Sequence, residues 1–353
     1  MKIKDHVRPE ILDLPTINAP EVSHGMIRMN ANESPSSPWQ KSKAIPLNRY
    51  PPVRPNSLTQ EMAKFYGINA EEILLSRGST EAIDIIMRTF CVPNKDSILI
   101  SPPTFDMYQF FANLNSIFID KAPLKAENNF ILKIEDLIDT ISSKTKLIFI
   151  STPNSPCGSS VTTKDIISVL DIVSDNAIVV VDEAYIEFSP IESMVKEIQN
   201  YENLIVLRTL SKAFSLAGAR CGALISSTEG IELLKKTTPP FSFSTPTINH
   251  IESVLSLSDP RLNNSHINNI ITQREYLKEM LLALACTDKI WKSDGNFLLV
   301  RFKNINSILS VLEENQILVG QIKNNEDLKD CLRITIGNPE ENKKLLKAIS
   351  SSL

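Results

Sequence analysis

Lys212 lies in the segment Thr209-Leu-Ser-Lys-Ala-Phe-Ser-Leu-Ala-Gly-Ala-Arg-Cys-Gly222, directly after the apolar run Asn203-Leu-Ile-Val-Leu-Arg208. A lysine that is to condense with a carbonyl needs a fixed, water-poor position, and the end of a buried strand supplies one. Ser211 precedes it, and Arg220 follows across a small-residue stretch holding Gly218 and Gly222. A hydroxyl and a guanidinium at that distance suit a phosphate group. The alternative is a surface lysine at a strand end with an arginine on a helix face.

Further residues of the same kind follow other apolar runs. Asp182 comes directly after Ile178-Val-Val-Val181, and a carboxylate at the end of a buried strand is costly unless it has a partner. A protonated pyridine nitrogen would be such a partner; the alternative is a helix N-cap. Tyr185, three residues on, could reach the same ring edge. Gly78-Ser-Thr-Glu81 sits between a strand-like and a helix-like segment, where glycine permits close backbone approach and the free N–H groups of Ser79 and Thr80 would make an anion site. A capping box would use the same residues. Tyr108 is a candidate for stacking on a flat ring, or a core aromatic. Arg333, in the strand-like Leu332-Arg-Ile-Thr335, would match a carboxylate if it points inward. A Schiff-base lysine, a phosphate clamp and a carboxylate for a ring nitrogen are together the requirements of pyridoxal 5'-phosphate (PLP).

Elements must hold these residues at one edge. Short apolar runs recur at 73–75, 98–100, 147–150, 178–181, 204–207 and 223–225, with helical patterns between most of them, such as Thr80–Phe90 and Lys164–Ser174. Strands apolar on both faces, alternating with helices, predict an α/β fold with a mostly parallel, mixed sheet flanked by helices. The run at 223–225 follows 204–207 too soon for a crossover helix, so one antiparallel strand is expected. A helix is expected from Ser57 to Tyr66, ended by Gly67. Most of the candidate residues lie in loops that follow strand-like runs, where open α/β sheets bind ligands. From about 246 onward, a long helical stretch, strands at Gly295–Arg301 and Cys331–Ile336 and a closing helix predict a small α+β domain. The division expected is an N-terminal arm over 1–49, rich in Pro, Asn and Ser, a large domain over 50–245 and a small domain over 246–353.

Composition narrows the class. The 353 residues are 42% hydrophobic and 22% charged, with a formal net charge of −4, which offers no electrostatic footing for nucleic acid or an anionic membrane. No apolar run approaches the roughly 20 residues needed to span a bilayer. The N-terminus lacks the apolar core of a secretory signal. Five scattered cysteines (91, 157, 221, 286 and 331) without CxxC spacing point to reduced thiols in a cytoplasmic protein. Four histidines form no ligand cluster, so no metal is expected.

The order Arg49-Tyr-Pro51, Ser76-Arg-Gly-Ser-Thr-Glu81, Pro102-Pro-Thr104, Pro153-Asn-Ser-Pro156, Val181-Asp-Glu-Ala-Tyr-Ile-Glu-Phe188, Arg208-Thr-Leu-Ser-Lys-Ala-Phe214 and Leu332-Arg-Ile-Thr335 resembles the fold-type I aminotransferases. Within them it is most similar to histidinol-phosphate aminotransferases; Asn30-Ala-Asn-Glu33 and Ser244-Thr-Pro246 fit the same group. The resemblance implies that Lys212 holds PLP covalently and shuttles a proton, Asp182 pairs the ring nitrogen, and Tyr185 and Ser155 bind the phenolic oxygen. It implies Tyr108 on the ring and Ser79, Thr80, Ser211 and Arg220 on the phosphate, with Tyr50 reaching that phosphate from the second subunit of a homodimer. Asn30, Asn32 and Arg333 would bind substrate, Arg333 taking the carboxylate of an amino donor whose 2-oxo acid counterpart is the acceptor. Three departures stand out. Ser155 replaces an Asn, no Tyr precedes Tyr50, and Leu318-Val-Gly-Gln-Ile-Lys323 lacks an Arg that the group often carries, with Lys323 the nearest substitute. The alternatives are a related aminotransferase for a non-phosphorylated, for example aromatic, amino acid, and a PLP decarboxylase of phosphothreonine type.

Overall fold

The run at 178–181 forms β5 (Ile178–Asp182), the central strand of a seven-stranded sheet in the computed structural model. The structure describes residues 2–17, 31–34, 36, 47–257, 260–322 and 325–351, with backbone alone for 260–263. The other strands are β1 (Ile73–Ser76), β2 (Ser97–Ile100), β3 (Phe118–Lys121), β4 (Thr145–Ser151), β6 (Leu204–Thr209) and β7 (Gly222–Ile225), in the order β1-β7-β6-β5-β4-β2-β3. Neighbours from β3 to β6 are parallel, and β7 runs antiparallel to both β6 and β1. The connection from Thr209 to Gly222 contains only a short 3-10 turn, Ala217–Ala219, too little for a parallel crossover.

Both faces of this sheet are covered, as the unbroken apolar runs require. Val179 and Val181 face a core shared with the helices Asn56–Tyr66 and Thr163–Ile172. Ile178 and Val180 face the helices Ser79–Phe90, Met107–Leu114 and Thr228–Thr237. Full burial of each such side chain contributes roughly 1.5–3 kcal/mol. The helix Asn56–Tyr66 ends at Gly67, whose φ of 71° is left-handed and favours glycine. The edge strand β3 was not expected, because its Phe-Ile-Asp-Lys sequence is half polar and partly exposed.

The smaller sheet is antiparallel throughout, in the order β10-β11-β9-β8: β8 (Thr287–Ile290), β9 (Phe297–Phe302), β10 (Gly320–Gln321) and β11 (Cys331–Thr335). The helices Pro260–Leu282, Ile305–Glu314 and Pro339–Ser350 cover it through Leu277, Leu281, Leu312, Leu345 and Ile349. No helix among the described residues is long and apolar enough to cross a membrane.

The first residues of the chain pack against the core of the larger sheet, and Ile3, Val7 and Ile11 are buried beneath it. His6 is buried beside them, and among the described residues no hydrogen-bond partner meets its Nε2. Burial, with the Lys146 ammonium adding to it, lowers its pKa to about 4. The unfolded chain therefore binds a proton near pH 6.5 that the folded chain refuses, so this contribution is complete above pH 6.5 and is lost as pH falls toward 4. Wild-type stability should drop between pH 7.5 and 5 by on the order of 1–2 kcal/mol more than that of His6→Leu. Denaturant titrations at the two pH values measure the difference; equal losses in the two proteins would refute the assignment.

Candidate active site

Two adjacent carboxylates leave the end of β5 and the pleat sends them to opposite faces. Asp182 is 3% exposed; the Tyr108 hydroxyl donates to its Oδ2 at 2.7 Å and the Ala184 N–H to its Oδ1 at 3.1 Å. Burial raises its pKa, with the Tyr108 hydroxyl, the Ala184 N–H and the Lys212 ammonium opposing the rise. Glu183, on the other face, accepts from Met194 N–H at 2.6 Å, Ser193 Oγ at 2.5 Å and Arg208 Nη1 at 3.3 Å. Arg208 Nη2 also donates to Glu187 Oε1 at 2.6 Å. This buried cluster ties the end of β5 to the end of β6, four residues before Lys212. The sequence reading missed it, although Glu183 and Arg208 both stand inside the motifs it singled out.

Lys212 Nζ projects over the Tyr185 ring, 5.5 Å from its centroid. Ser211 is set by Thr209, whose Oγ1 accepts from the Ser211 N–H at 3.1 Å and donates to its Oγ at 3.0 Å. Arg220 takes a left-handed φ of 52°, and its Nη1 reaches Ser211 Oγ at 3.5 Å while Nη2 reaches the Arg77 carbonyl at 3.4 Å. Facing them is the start of the helix Ser79–Phe90, whose N-cap Gly78 (φ 78°) provides no capping side chain. The first N–H groups of that helix, those of Ser79 and Thr80 included, are thus available to an anion.

Glycines keep this cradle open. A Cβ on Gly78 would lie 2.7 Å from Arg220 Nη2, and one on Gly222 would lie 2.8 Å from both Gly78 C and Ser79 N. The residues fit PLP: an anion cradle of helix start, hydroxyl and guanidinium, a lysine beside it, and a buried carboxylate short of one positive partner.

Tyr108 is placed differently from the stacking residue expected. It is fully buried, its ring stacks on Phe149 at 4.7 Å, and its hydroxyl serves Asp182. Ser155 is also buried, and Arg333 Nη1 donates to its Oγ at 2.8 Å. The neighbouring Asn154 braces this loop against the one before it, through Pro103 O and Thr104 Oγ1, both at 2.8 Å. Gly320 lies opposite Arg333 across β10 and β11, and a Cβ there would come within 3.5 Å of the Arg333 side chain. Lys323 and Asn30 lie outside the described residues. Asn32 is exposed with a left-handed φ of 54°, and its neighbour Glu33 pairs with Arg49 at 3.0 Å and with the Tyr50 N–H at 2.7 Å. Tyr50 is 51% exposed and packs on Phe241 at 4.9 Å. A cleft of about 1010 Å³ beside it is lined by Tyr50, Arg54, Glu71, Lys235, Phe241 and Phe243, with none of Lys212, Asp182 or Tyr185 among its walls.

Residues 26–349 match the family model of the aminotransferases of class I and II. The chain belongs to that family. The aminotransferase is 41% identical over 327 residues to a histidinol-phosphate aminotransferase of Francisella philomiragia subsp. philomiragia, covering 92% of this chain and 88% of the relative. It is 37% identical over 352 residues to one from Buchnera aphidicola subsp. Schlechtendalia chinensis, covering 99% and 98%. Among solved structures, it superposes on the histidinol-phosphate aminotransferase of Sinorhizobium meliloti in complex with pyridoxal-5'-phosphate with a TM-score of 0.78. That match is 19% identical and covers 87% of this chain and 83% of the other. The aminotransferase is therefore a PLP-dependent enzyme of the fold-type I architecture.

The cradle gives a direct test. Gly222→Ala places a methyl group against backbone that cannot step aside, at a cost of about 1–3 kcal/mol. PLP affinity of Gly222→Ala should fall at least tenfold in equilibrium dialysis. Gly218, with nothing within 4 Å of a Cβ, is the control, and Gly218→Ala should leave affinity unchanged.

Proposed function

We propose that this aminotransferase exchanges an amino group between histidinol phosphate and 2-oxoglutarate in histidine biosynthesis. The transfer chemistry rests on one arrangement: Lys212 at the exit of β6, next to Asp182 at the exit of β5 and under the Tyr185 ring. The substrate reading rests on two histidinol-phosphate aminotransferases at 41% and 37% identity that align with nearly the whole chain.

PLP, when bound, supplies an electron sink for the charge left when a substrate Cα–H is broken. Lys212 Nζ would hold the cofactor and would serve as the base that takes the proton from substrate Cα. Asp182 pairs the ring nitrogen, and Tyr108 keeps its carboxylate aimed. The Tyr108 hydroxyl is held neutral for this purpose, because burial and the Asp182 charge push its pKa well above the usual phenol value. Tyr185 donates to the phenolic oxygen. Ser155 accepts from Arg333, which leaves its own O–H proton to donate to that oxygen in place of an Asn amide. Ser211, Arg220 and the helix start at Ser79 and Thr80 hold the phosphate. Arg333 holds the donor carboxylate and, in the other half-reaction, the substrate anion, and Asn30 and Asn32 are assigned to the substrate as well.

The enzyme works as a homodimer in this reading, with an arm over 1–49, a cofactor-binding domain over 50–245 and a smaller domain over 246–353, in the cytoplasm. Support comes from Tyr50, which is exposed on its own chain at the rim of the large cleft. Its placement suits a residue that completes the phosphate site of a second copy.

Purified protein loaded with PLP should convert its visible band to the pyridoxamine form with histidinol phosphate or glutamate, and Lys212→Ala should lose turnover by at least a thousandfold. Borohydride fixing the cofactor to another lysine, or carbon dioxide release in place of 2-oxo acid, would refute the assignment. Mixing Tyr50→Ala and Lys212→Ala chains should restore about a quarter of wild-type activity, because half of randomly paired dimers carry one intact site. A fully active monomer in sedimentation would exclude the shared site.

A further inference from the structure

Phe297 opens β9 and is 2% exposed, yet it touches two residues of the site. Thr335 pairs with Phe297 and Arg333 with Leu299, so Phe297 and Arg333 are diagonal neighbours on one face of the smaller sheet. The Arg333 guanidinium lies over the Phe297 ring, 5.8 Å from its centroid. On its other side Phe297 meets Tyr185 edge to face, with centroids 5.2 Å apart and planes at 78°. The contacts run from Lys212 to Tyr185, Phe297, Arg333 and Ser155, leaving the larger sheet's loops at Tyr185 and returning to them at Ser155.

The Phe297 ring is itself held. A Cβ on Gly295 would come 2.7 Å from its Cε1, so the chain passes directly beneath the ring. The carbonyl of Gly295 accepts from Arg274 Nη1 at 2.9 Å, and the same nitrogen reaches Phe188 O at 3.4 Å. The backbone at 296 is fixed by the Ile336 N–H at 2.9 Å. A ring with this little freedom fixes whatever leans on it.

We infer that Phe297 is a positioning residue: one ring sets both the guanidinium that receives the donor carboxylate and the phenol that meets the cofactor's oxygen. This rests on the roles proposed above for Arg333 and Tyr185. It adds that the two roles are mechanically joined, so one substitution outside the motifs shifts anion recognition and the cofactor's electronic environment together.

The test uses Phe297→Leu and Phe297→Met, which lack a π face, and Phe297→Tyr, which retains one. PLP-free protein is titrated with glutarate by calorimetry, and PLP-loaded protein by pH at its visible band. Losing the ring face under a guanidinium should weaken glutarate binding about fivefold. The glutamate KM should rise by a similar factor, and the midpoint of the visible band should move in the same variants. Phe297→Tyr should stay within about twofold of wild type in each measurement. Leu and Met variants that melt lower but keep wild-type glutarate affinity and band midpoint would overturn the proposal, as would loss of only one of the two. If Phe297→Leu does not fold, Phe297→Met, closer to the original volume, decides. Wild-type protein that binds PLP but not glutarate would instead remove the assigned role of Arg333, and this proposal with it.

Discussion

Burying two consecutive carboxylates at the end of one strand is the constraint around which the site is arranged. Each charge taken from water costs several kcal/mol unless charge or hydrogen bonds replace the solvent. Asp182 and Glu183 leave β5 toward opposite faces and meet the problem differently. Glu183 is fully supplied, with an arginine, a hydroxyl and a backbone N–H around it. Asp182 has a phenol and one N–H but no arginine, and burial raises the pKa of both carboxyls. Glu183 locks two strands together, whereas Asp182 is left facing the site with fewer donors. Structural and chemical duties are thus divided between neighbouring residues by the alternation of the pleat.

The anion cradle is built mainly from absent atoms. Gly78 and Gly222 let the helix start, Arg220 and β7 approach closer than any side chain would permit. The left-handed backbone at Ser215 and Arg220 (φ of 57° and 52°) turns the chain after Lys212 so that the guanidinium comes back over Ser211. Such backbone costs a non-glycine residue roughly 1–2 kcal/mol. The buried Arg208–Glu183 pair lies at the root of the same loop.

The sheet was legible where strands are buried on both faces, because then every residue of the run must be apolar; β4, β5 and β6 announce themselves in this way. β3, β8 and β10 did not, since edge strands carry polar residues and are defined by their neighbours. Candidate site residues followed the strand ends, so Asp182, Tyr185, Ser211, Lys212 and Arg220 could be named from position and chemistry. Their partners could not. Tyr108 lies 74 residues from Asp182 and Arg333 lies 178 from Ser155, and no local pattern encodes such pairings. Phe297 was hidden for a different reason: a lone aromatic at a strand start looks like core, and it is core as well as part of the site's framework.

The packing of the N-terminal residues bears on how the chain comes together. Ile3, Val7 and Ile11 are buried against a core that includes Ile231 and Leu234, and Lys236 reaches the Leu12 carbonyl across 224 residues. Strand β1 likewise has a single neighbour, β7, which is read from the message almost 150 residues later. During synthesis, then, the larger sheet emerges strand by strand while one of its edges and an apolar segment stay uncovered. Closing contacts of such long sequence separation slows folding and prolongs exposure of sticky surface. The edge of the larger sheet and the N-terminal apolar residues are therefore covered only once β7 and the helix Thr228–Thr237 have been made.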